Sequence, residues 1–467
     1  MDARRIIRTY LGIGATTTLA QSLIWGVNTL FLLDVGLDIF EIMVVNAAFT
    51  VSQMFFEVPT GVVADTLGRR ASYLLSVAII LLSTLLYVWF GSIGAGPVPF
   101  AVASVVLGIG FTFYTGAVDA WMVDALGAVG YEGKLDPIFA RYGMTFGVFM
   151  LVGTVSGGFL GQIGLWVPYL ARAAVLVPAF LLGLLLMRDL GFRGRPLRLA
   201  TFGGETRRIA RAGITFGLRD RVVRFVMFAS LVQGIFLMYG FYSWQRYFLD
   251  LLDRDLVWVT GVIAGLVGLT QIAGNALVGP LGRRTGDRGA ILMVVVAAST
   301  VAVVGAALIQ EFWVAVPLYL VSALAWGVYV PVKQAWINDR IPSSERATII
   351  SLDALFGDAG NTAGQLGLGY ISTAVSIPAA WLVGGLAQAL GLPLLGAARR
   401  AQATGDALER EAGERGATAV TGEPALPGGP ATGAATVAAG PTLGCVCETG
   451  FESSCAPADL DDRGRAA

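Results

Sequence analysis

Long apolar runs alternate with short polar breaks over most of the chain. About 20 apolar residues of helix cross the roughly 30 Å hydrocarbon core of a bilayer, and the runs are of about that length. Because backbone polar groups must be satisfied within the lipid, the runs predict membrane-spanning helices and an all-α membrane protein. We number the predicted helices spans 1 to 12, at about 11–33, 40–63, 71–93, 99–125, 139–162, 165–187, 223–249, 257–281, 288–309, 312–337, 347–372 and 375–397.

Two polar stretches divide the chain into four predicted regions. These are a six-helix bundle over 1–187, an arginine-rich cytoplasmic linker over 188–222, a second six-helix bundle over 223–397 and a disordered cytoplasmic tail over 398–467. Within the linker, the amphipathic spacing of 207–218 indicates either a helix on the anionic membrane surface or a solvated segment. The tail lacks apolar periodicity and cannot bury enough surface to offset the entropy of ordering.

Basic residues fall almost entirely in alternate breaks. If the N-terminus is inside, the outer breaks receive only Arg246 and Arg254, and the other loop arginines are cytoplasmic. Because cytoplasmic loops carry the excess of Lys and Arg, the sequence predicts a multi-pass protein of the cell inner (plasma) membrane with both termini in the cytoplasm. We expect a monomer surrounded by the lipid bilayer.

The two halves repeat one another. Gly68-Arg69-Arg70 follows span 2, and Gly282-Arg283-Arg284 lies 214 positions later. At nearly the same offset, Ala120-Trp121-Met-Val-Asp124 is matched by Ala335-Trp336-Ile-Asn-Asp339. Two matches at one period indicate an internal duplication, which is common among secondary transporters.

The full signal between spans 2 and 3 is Gly61-Val-Val-Ala-Asp65-Thr-Leu-Gly68-Arg69-Arg70. It resembles the G-x-x-x-D-x-x-G-R-R signature of the major facilitator superfamily, over roughly residues 1 to 400. The resemblance implies two pseudo-symmetric six-helix bundles, in which this motif latches the cytoplasmic ends together. Thr66 replaces the usual basic residue, which weakens the expected latch. The implied gating set is Gly61, Asp65, Gly68, Arg69, Arg70, Asp124, Arg141, Gly282, Arg283, Arg284, Asp339 and Arg346.

Two simpler interpretations of this set remain open. Arg69 and Arg70 also serve as positive-inside anchors. The acid and base that bracket each short cytoplasmic loop, Asp124 with Arg141 and Asp339 with Arg346, are also explained by structural pairing.

Composition excludes several classes of protein. With 55% apolar and 14% charged residues, against about 25% charged in soluble domains, the chain cannot be a soluble globule. It has no histidine, which removes histidine bases and histidine-ligated metals, so we expect no cofactor and no metal. Its three cysteines lie in the last 25 residues, where a metal site is the less favoured alternative to a solvated tail. A phosphate-binding G-x-x-x-x-G-K-[ST] loop is absent, and nothing indicates a nucleic-acid partner.

Four ionisable residues recur at similar depth within the predicted spans, where charges are costly and point to function. They are Glu57, Asp119, Lys333 and Asp353. In the resembling fold spans 1, 4, 7 and 10 line the cavity, so we expect Asp119 and Lys333 to face each other and to couple transport to protons. A fixed pair that sets helix register is the alternative. Arg172 is a further buried charge with no evident partner.

The same cavity-lining spans supply aromatic and amide side chains, which suit an amphipathic organic molecule. The glycine-rich stretch Gly153-Thr-Val-Ser-Gly157-Gly158-Phe-Leu-Gly161 is similar to an antiporter motif on span 5. We therefore predict a drug-efflux-type secondary transporter that exports a small solute against protons. A proton-coupled importer of a metabolite (sugar, amino acid or organic anion) and, less favoured, a membrane-embedded enzyme are the alternatives. The candidate substrate residues are Gln21, Trp25, Asn28, Tyr114, Trp121, Gln233, Tyr239, Tyr329 and Trp336.

Overall fold

The computed structural model describes residues 2–192, 219–341 and 346–404. The linker segment 207–218, predicted as a surface helix or a solvated segment, lies outside these ranges, and so does the predicted tail after 404. Residues 398–404, predicted to belong to the disordered tail, instead continue the helix of span 12. The helices are Ala3–Ser22 with Asn28–Asp34 (span 1), Ile39–Leu67 (span 2), Arg69–Ser92 (span 3), Pro97–Tyr114 with Ala117–Ala128 (span 4), Asp136–Ile163 (span 5), Val167–Leu186 (span 6), Arg221–Leu252 (span 7), Val257–Thr285 (span 8), Arg288–Ile309 (span 9), Phe312–Asn338 (span 10), Arg346–Ala374 (span 11), and Ile377–Ala389 continued over 391–404 (span 12).

Ten of these helical segments are long and apolar enough to cross a membrane. The other two crossings fall short for visible reasons. Span 1 is interrupted at 23–27, and span 11 carries Asp353 and Asp358 among its apolar residues. Together they make twelve spans in two bundles, which confirms the predicted fold class.

Aspartate side chains cap the N-termini of several spans. Asp38 and Glu41 form a capping box at span 2, in which each side chain accepts a hydrogen bond from the other residue's backbone N–H. Asp220 and Asp287 cap spans 7 and 9 by accepting from the backbone N–H three residues ahead. These caps satisfy helix-end donors that have no partner within the helix.

The turn after span 2 is shorter than the sequence predicts. Gly61 and Asp65 lie within the helix, and Gly68 alone forms the turn, at φ +102°. A Cβ on Gly68 would stand 2.5 Å from the Asp189 carboxylate, so glycine is required for space as well as for φ. In the second half span 8 continues through Arg283 and Arg284, and the equivalent turn is at Gly286, φ +61°.

Spans 5 and 8 pack together through glycines, and so do spans 5 and 1. A Cβ on Gly158 would lie 2.7 Å from the Cα of Gly261 in span 8, and Gly157 packs against the carbonyl of Leu23 in span 1. Small residues at this spacing allow helix backbones to approach closely in lipid. The glycine stretch therefore forms close contacts of span 5 with both span 8 and span 1.

Hydrogen bonds between the two halves lie away from the chain ends. We call the side that holds Ala3 and residue 404 the terminal side and the other the far side. Near the far side, Thr29 donates from its backbone N–H to Gln245 Oε1 (3.0 Å) and from its hydroxyl to the carbonyl of Tyr242 (2.6 Å). Phe40 and Thr373 pair similarly. Gln162 also donates to the carbonyl of Asp255, and Gln245 to the carbonyl of Trp25. These hydrogen bonds close the two halves together on the far side.

Candidate substrate and coupling site

A pocket of about 630 Å³, including its mouth, lies within the second half. Its lining comes from spans 7, 8, 9, 10 and 12 and combines aromatic rings with uncharged polar side chains. Among the described residues the lining contains no acid and no base. Its polar members are Gln233, Gln271, Ser299, Ser322, Gln388 and Tyr329, and its rings include Phe236, Phe241, Tyr319 and Trp326.

The polar groups on the inner wall of the pocket are already hydrogen bonded to one another. Gln233 Nε2 donates to the carbonyl of Gln388 (3.1 Å), and the hydroxyl of Ser299 donates to Gln388 Oε1 (3.2 Å). The hydroxyls of Ser299 and Ser322 lie 2.8 Å apart. Gln271, on the opposite wall, makes no side-chain hydrogen bond within the described chain, so its amide is available to a ligand.

A buried ion pair lies next to this pocket. Lys333 Nζ in span 10 lies 2.5 Å from Asp353 Oδ2 in span 11, and the two side chains are 14% and 9% exposed. Ser230 in span 7 donates to the other carboxylate oxygen (2.6 Å) and accepts from Lys333 (3.0 Å). Both oxygens of Asp353 therefore accept hydrogen bonds, which is the pattern of an ionised carboxylate.

The ion pair and the pocket share two helices. Tyr329 lines the pocket one helical turn before Lys333. The Nζ of Lys333 lies 5.9 Å from the centre of the Tyr329 ring. Ser230 precedes the pocket residue Gln233 by three positions, on the same face of span 7. A ligand in the pocket would thus be separated from the ion pair by about one turn of helix.

Asp119 does not pair with Lys333 as the sequence suggested. It accepts a hydrogen bond from the hydroxyl of Tyr10 (2.6 Å), in the core of the first half. Tyr142 stacks on Tyr10 at 4.6 Å between ring centres, and its hydroxyl lies 3.1 Å from that of Tyr114. The expectation failed because Asp353, one helix away, offers Lys333 a carboxylate within its own bundle. Each half therefore has its own acid within its spans, Asp119 half-buried in the first and Asp353 buried in the second.

Glu57 lies apart from both groups. Its side chain is exposed on span 2, where the nearest charged group acting on it is Asp358 of span 11. These two carboxylates belong to different halves. The sequence placed Glu57 at the depth of the other buried charges but gave no indication that it lies at the contact between spans 2 and 11.

The gating motif of the first half contacts spans 4 and 6. Arg69 Nε lies 4.0 Å from Asp124 Oδ2. The backbone N–H of Arg70 donates to Asp189 (2.9 Å), and its guanidinium donates to the carbonyl of Leu184 (2.7 Å). Asp189 is a functional candidate that sequence reasoning missed, because it was counted only among the charges of the linker. The side chain of Asp65 is not among those described.

The second half uses a different arginine for the same contact. Arg288 forms an ion pair with Asp339 and donates to the carbonyl of Ala335 (2.7 Å). Asp287 binds Arg399 at 2.6 Å. Although partial burial raises the pKa of Asp287, hydrogen bonds from the Ala290 backbone and from Arg399 outweigh it and hold the pKa below its usual value. The predicted Arg141, Arg283, Arg284 and Arg346 are exposed.

The predicted substrate residues separate into three groups. Gln233 and Tyr329 line the pocket. Asn28 and the carbonyl of Trp25 take part in the hydrogen bonds near the far side. The remainder are packed against other elements and do not line the pocket: Gln21, Tyr114, Trp121, Tyr239 and Trp336.

Comparisons with known proteins agree with this architecture. The family model described as Major Facilitator Superfamily matches residues 10–364. The tetracycline resistance protein, class G, of Vibrio anguillarum is 27% identical over 74% of this chain and 85% of its own length. The tetracycline resistance protein, class C, of Escherichia coli is 26% identical over 62% of this chain and 75% of its own length.

Solved structures show the same fold at low identity. The crystal structure of the nucleoside transporter NupG has a TM-score of 0.70 at 11% identity, over 84% of this chain and 98% of that one. The crystal structure of the POT family transporter PepTSo has a TM-score of 0.65 at 14% identity, over 86% of this chain and 99% of that one. Since the family model covers most of both bundles, the chain belongs to the Major Facilitator Superfamily and is a multi-pass secondary transporter of small molecules.

Proposed function

We propose that the protein exports a small amphipathic organic compound in exchange for protons, with both chain ends in the cytoplasm. The relatives named as tetracycline resistance proteins support the outward direction and make tetracycline the first compound to test. The terminal side is then the cytoplasmic side, in agreement with the arginines of its loops.

The observation that carries this proposal is the ion pair of Lys333 and Asp353, one helical turn from the pocket. Burying a charged pair inside the membrane is energetically costly, so its presence indicates a function. If a proton binds Asp353 Oδ2, the carboxyl becomes neutral and Lys333 loses its partner. The environment of Tyr329 changes with it, because the ammonium lies over its ring.

This arrangement corresponds to one step of an exchange cycle. The far side is closed, and both oxygens of Asp353 accept hydrogen bonds, which is the arrangement of an ionised carboxylate. An exporter in this state has released its proton to the cytoplasm and is ready to take substrate into the pocket. Opening to the far side would then expose Asp353 to the outer proton concentration.

Asp119 is a second proton carrier in this proposal. Its neighbours are tyrosines, and within the described chain no lysine or arginine pairs with it. Asp353, by contrast, has its charge balanced by Lys333. The two halves would therefore hold their proton carriers in different electrostatic surroundings.

A proton-coupled importer of a neutral metabolite is the second candidate. The pocket favours it in one respect, because glutamines and serines without charges suit a neutral polar solute. The likeness to the nucleoside transporter shows the fold alone. Direction of transport separates the two candidates.

The test uses purified protein in liposomes that contain a pH-sensitive dye. Tetracycline, a lipophilic cation, a sugar and an amino acid are each added from outside. Exchange predicts that tetracycline moves protons opposite to itself, whereas import predicts that the sugar or amino acid moves protons in its own direction. Proton flux that equals that of protein-free liposomes for every compound would refute coupling.

A further inference from the structure

Arg172 in span 6 is a buried charge that the transport cycle above does not use. It is 2% exposed, and in the described chain it has no ion pair and no hydrogen bond. Its Nε is buried without a partner. It lies five residues into Val167–Leu186, about 8 Å from the far-side end of that helix at 1.5 Å per residue.

A guanidinium in this position requires a counter-charge. Arginine cannot be deprotonated in proteins, so it cannot become neutral as a buried lysine can. Leaving an ion unpaired inside the membrane is strongly unfavourable. Long arginine side chains near helix ends usually reach the interface, but the 2% exposure shows that this one does not.

The groups that act on Arg172 are hydroxyls rather than carboxylates. Tyr169 lies one turn earlier on span 6 and Tyr87 on span 3, and their rings stack at 5.7 Å. Tyr169 donates to Asn28 Oδ1 (2.7 Å), and the Tyr87 hydroxyl lies 2.5 Å from that of Ser104. The only hydroxyl proton of Tyr169 is used in its bond to Asn28, so the Tyr87 hydroxyl is the group that can donate to an anion beside the guanidinium.

We propose that Arg172, with the hydroxyl of Tyr87, binds a small monoanion within the first half. A halide ion and the carboxylate of a small organic acid are the two forms of this ligand. The site is distinct from the pocket, whose lining comes from the second half. No part of the inference depends on the direction of transport or on proton coupling.

The site is connected to the closure on the far side. Asn28, which accepts from Tyr169, is followed by Thr29, and Thr29 bonds to Gln245 and to the carbonyl of Tyr242 in the other half. An anion at Arg172 would hold Tyr169 and Asn28 in place. Its binding therefore favours the arrangement that is closed on the far side.

The test is thermal unfolding of the purified protein in detergent, at constant ionic strength. Sodium chloride or sodium bromide replaces sodium gluconate in one series, and sodium acetate replaces it in another. A ligand that binds only the folded state raises the unfolding temperature in a saturable way. We expect such a rise with a halide or with acetate, its loss in Arg172→Met, and partial retention in Arg172→Lys.

A rise with halides alone identifies an inorganic ion, and a rise with acetate alone identifies a carboxylate. Wild-type protein that responds to neither, with Arg172→Met at least as stable in all salts, would overturn the proposal. If Arg172→Met does not fold, bromide soaked into wild-type crystals supplies the decision. An anomalous peak within hydrogen-bond distance of Arg172 supports the site, and its absence refutes binding of a halide. The acetate series on Tyr87→Phe then tests the carboxylate: a weaker response than that of wild type supports the site, and an unchanged response refutes it.

Discussion

Arg288 and Asp339 join the first residue of span 9 to the terminal-side end of span 10. Arg69 and Asp124 make the same connection between spans 3 and 4. Asp124 and Asp339 are 215 positions apart, whereas Arg69 and Arg288 are 219 apart. The difference is one helical turn, by which span 8 is extended before its turn at Gly286. The arginine that corresponds to Arg69 in space is therefore Arg288, and not Arg283 or Arg284.

This relationship predicts unequal effects of three arginine substitutions. Arg288→Ala removes an ion pair and a hydrogen bond to the end of span 10, so we expect slower transport and slightly lower stability. Exposed ion pairs are worth only about 0–1 kcal/mol, so the effect on the unfolding temperature should be small. Arg283→Ala and Arg284→Ala are the matched controls and should leave transport unchanged. Equal loss in all three would contradict the structural correspondence.

The ion pair of Lys333 and Asp353 predicts a strongly non-additive mutant cycle. Lys333→Met alone leaves a buried carboxylate without its partner, which typically destabilises by about 3–5 kcal/mol. Lys333→Met combined with Asp353→Asn should recover most of that loss, because no charge remains uncompensated. Chemical denaturation in detergent measures the three variants. Additive losses would show that the two side chains do not interact.

The contact of Gly158 with Gly261 predicts that a single methyl group disturbs the closure on the far side. Gly158→Ala would place a Cβ 2.7 Å from the Cα of Gly261, so spans 5 and 8 must separate. We expect cysteine pairs across the far side to crosslink less efficiently and transport to slow. Gly143→Ala, in the same helix but with no atom within 4 Å of the new Cβ, is the control. Unchanged crosslinking in Gly158→Ala would show that the helices adjust without opening.

The ion pair of Asp287 with Arg399 predicts a dependence of stability on pH. The pKa of Asp287 is lower in the folded protein than its usual value of about 3.9, so its stabilising effect is complete above that value. The effect is lost as the pH falls through the folded-state pKa. The unfolding temperature of wild type should therefore exceed that of Asp287→Asn near neutral pH and approach it in acid. A constant difference at all pH values would mean that the charge of Asp287 is not responsible.

The fold could be predicted from the sequence because it follows from local properties. The lengths of the apolar runs and the repeated Trp-x-x-Asp signal each depend on residues close together in the chain. Contacts between distant side chains could not be predicted in this way. Asp119 and Asp353 were both candidate partners of Lys333 at similar depth in the membrane. The packing of span 11 against spans 7 and 10 determines that Asp353 is the partner. Gln271, Ser299 and Gln388 were missed because spans 8, 9 and 12 were not expected to line a pocket.

The most direct test of proton-coupled exchange compares two modes of transport in Asp353→Asn. In liposomes, one assay follows accumulation of labelled substrate driven by a pH gradient, and the other follows exchange of labelled for unlabelled substrate without a gradient. Asp250→Asn, in the exposed pair with Arg246, is the control. We predict that Asp353→Asn retains exchange and loses gradient-driven accumulation, while the control retains both. Gradient-driven accumulation at the wild-type rate in Asp353→Asn would contradict the account.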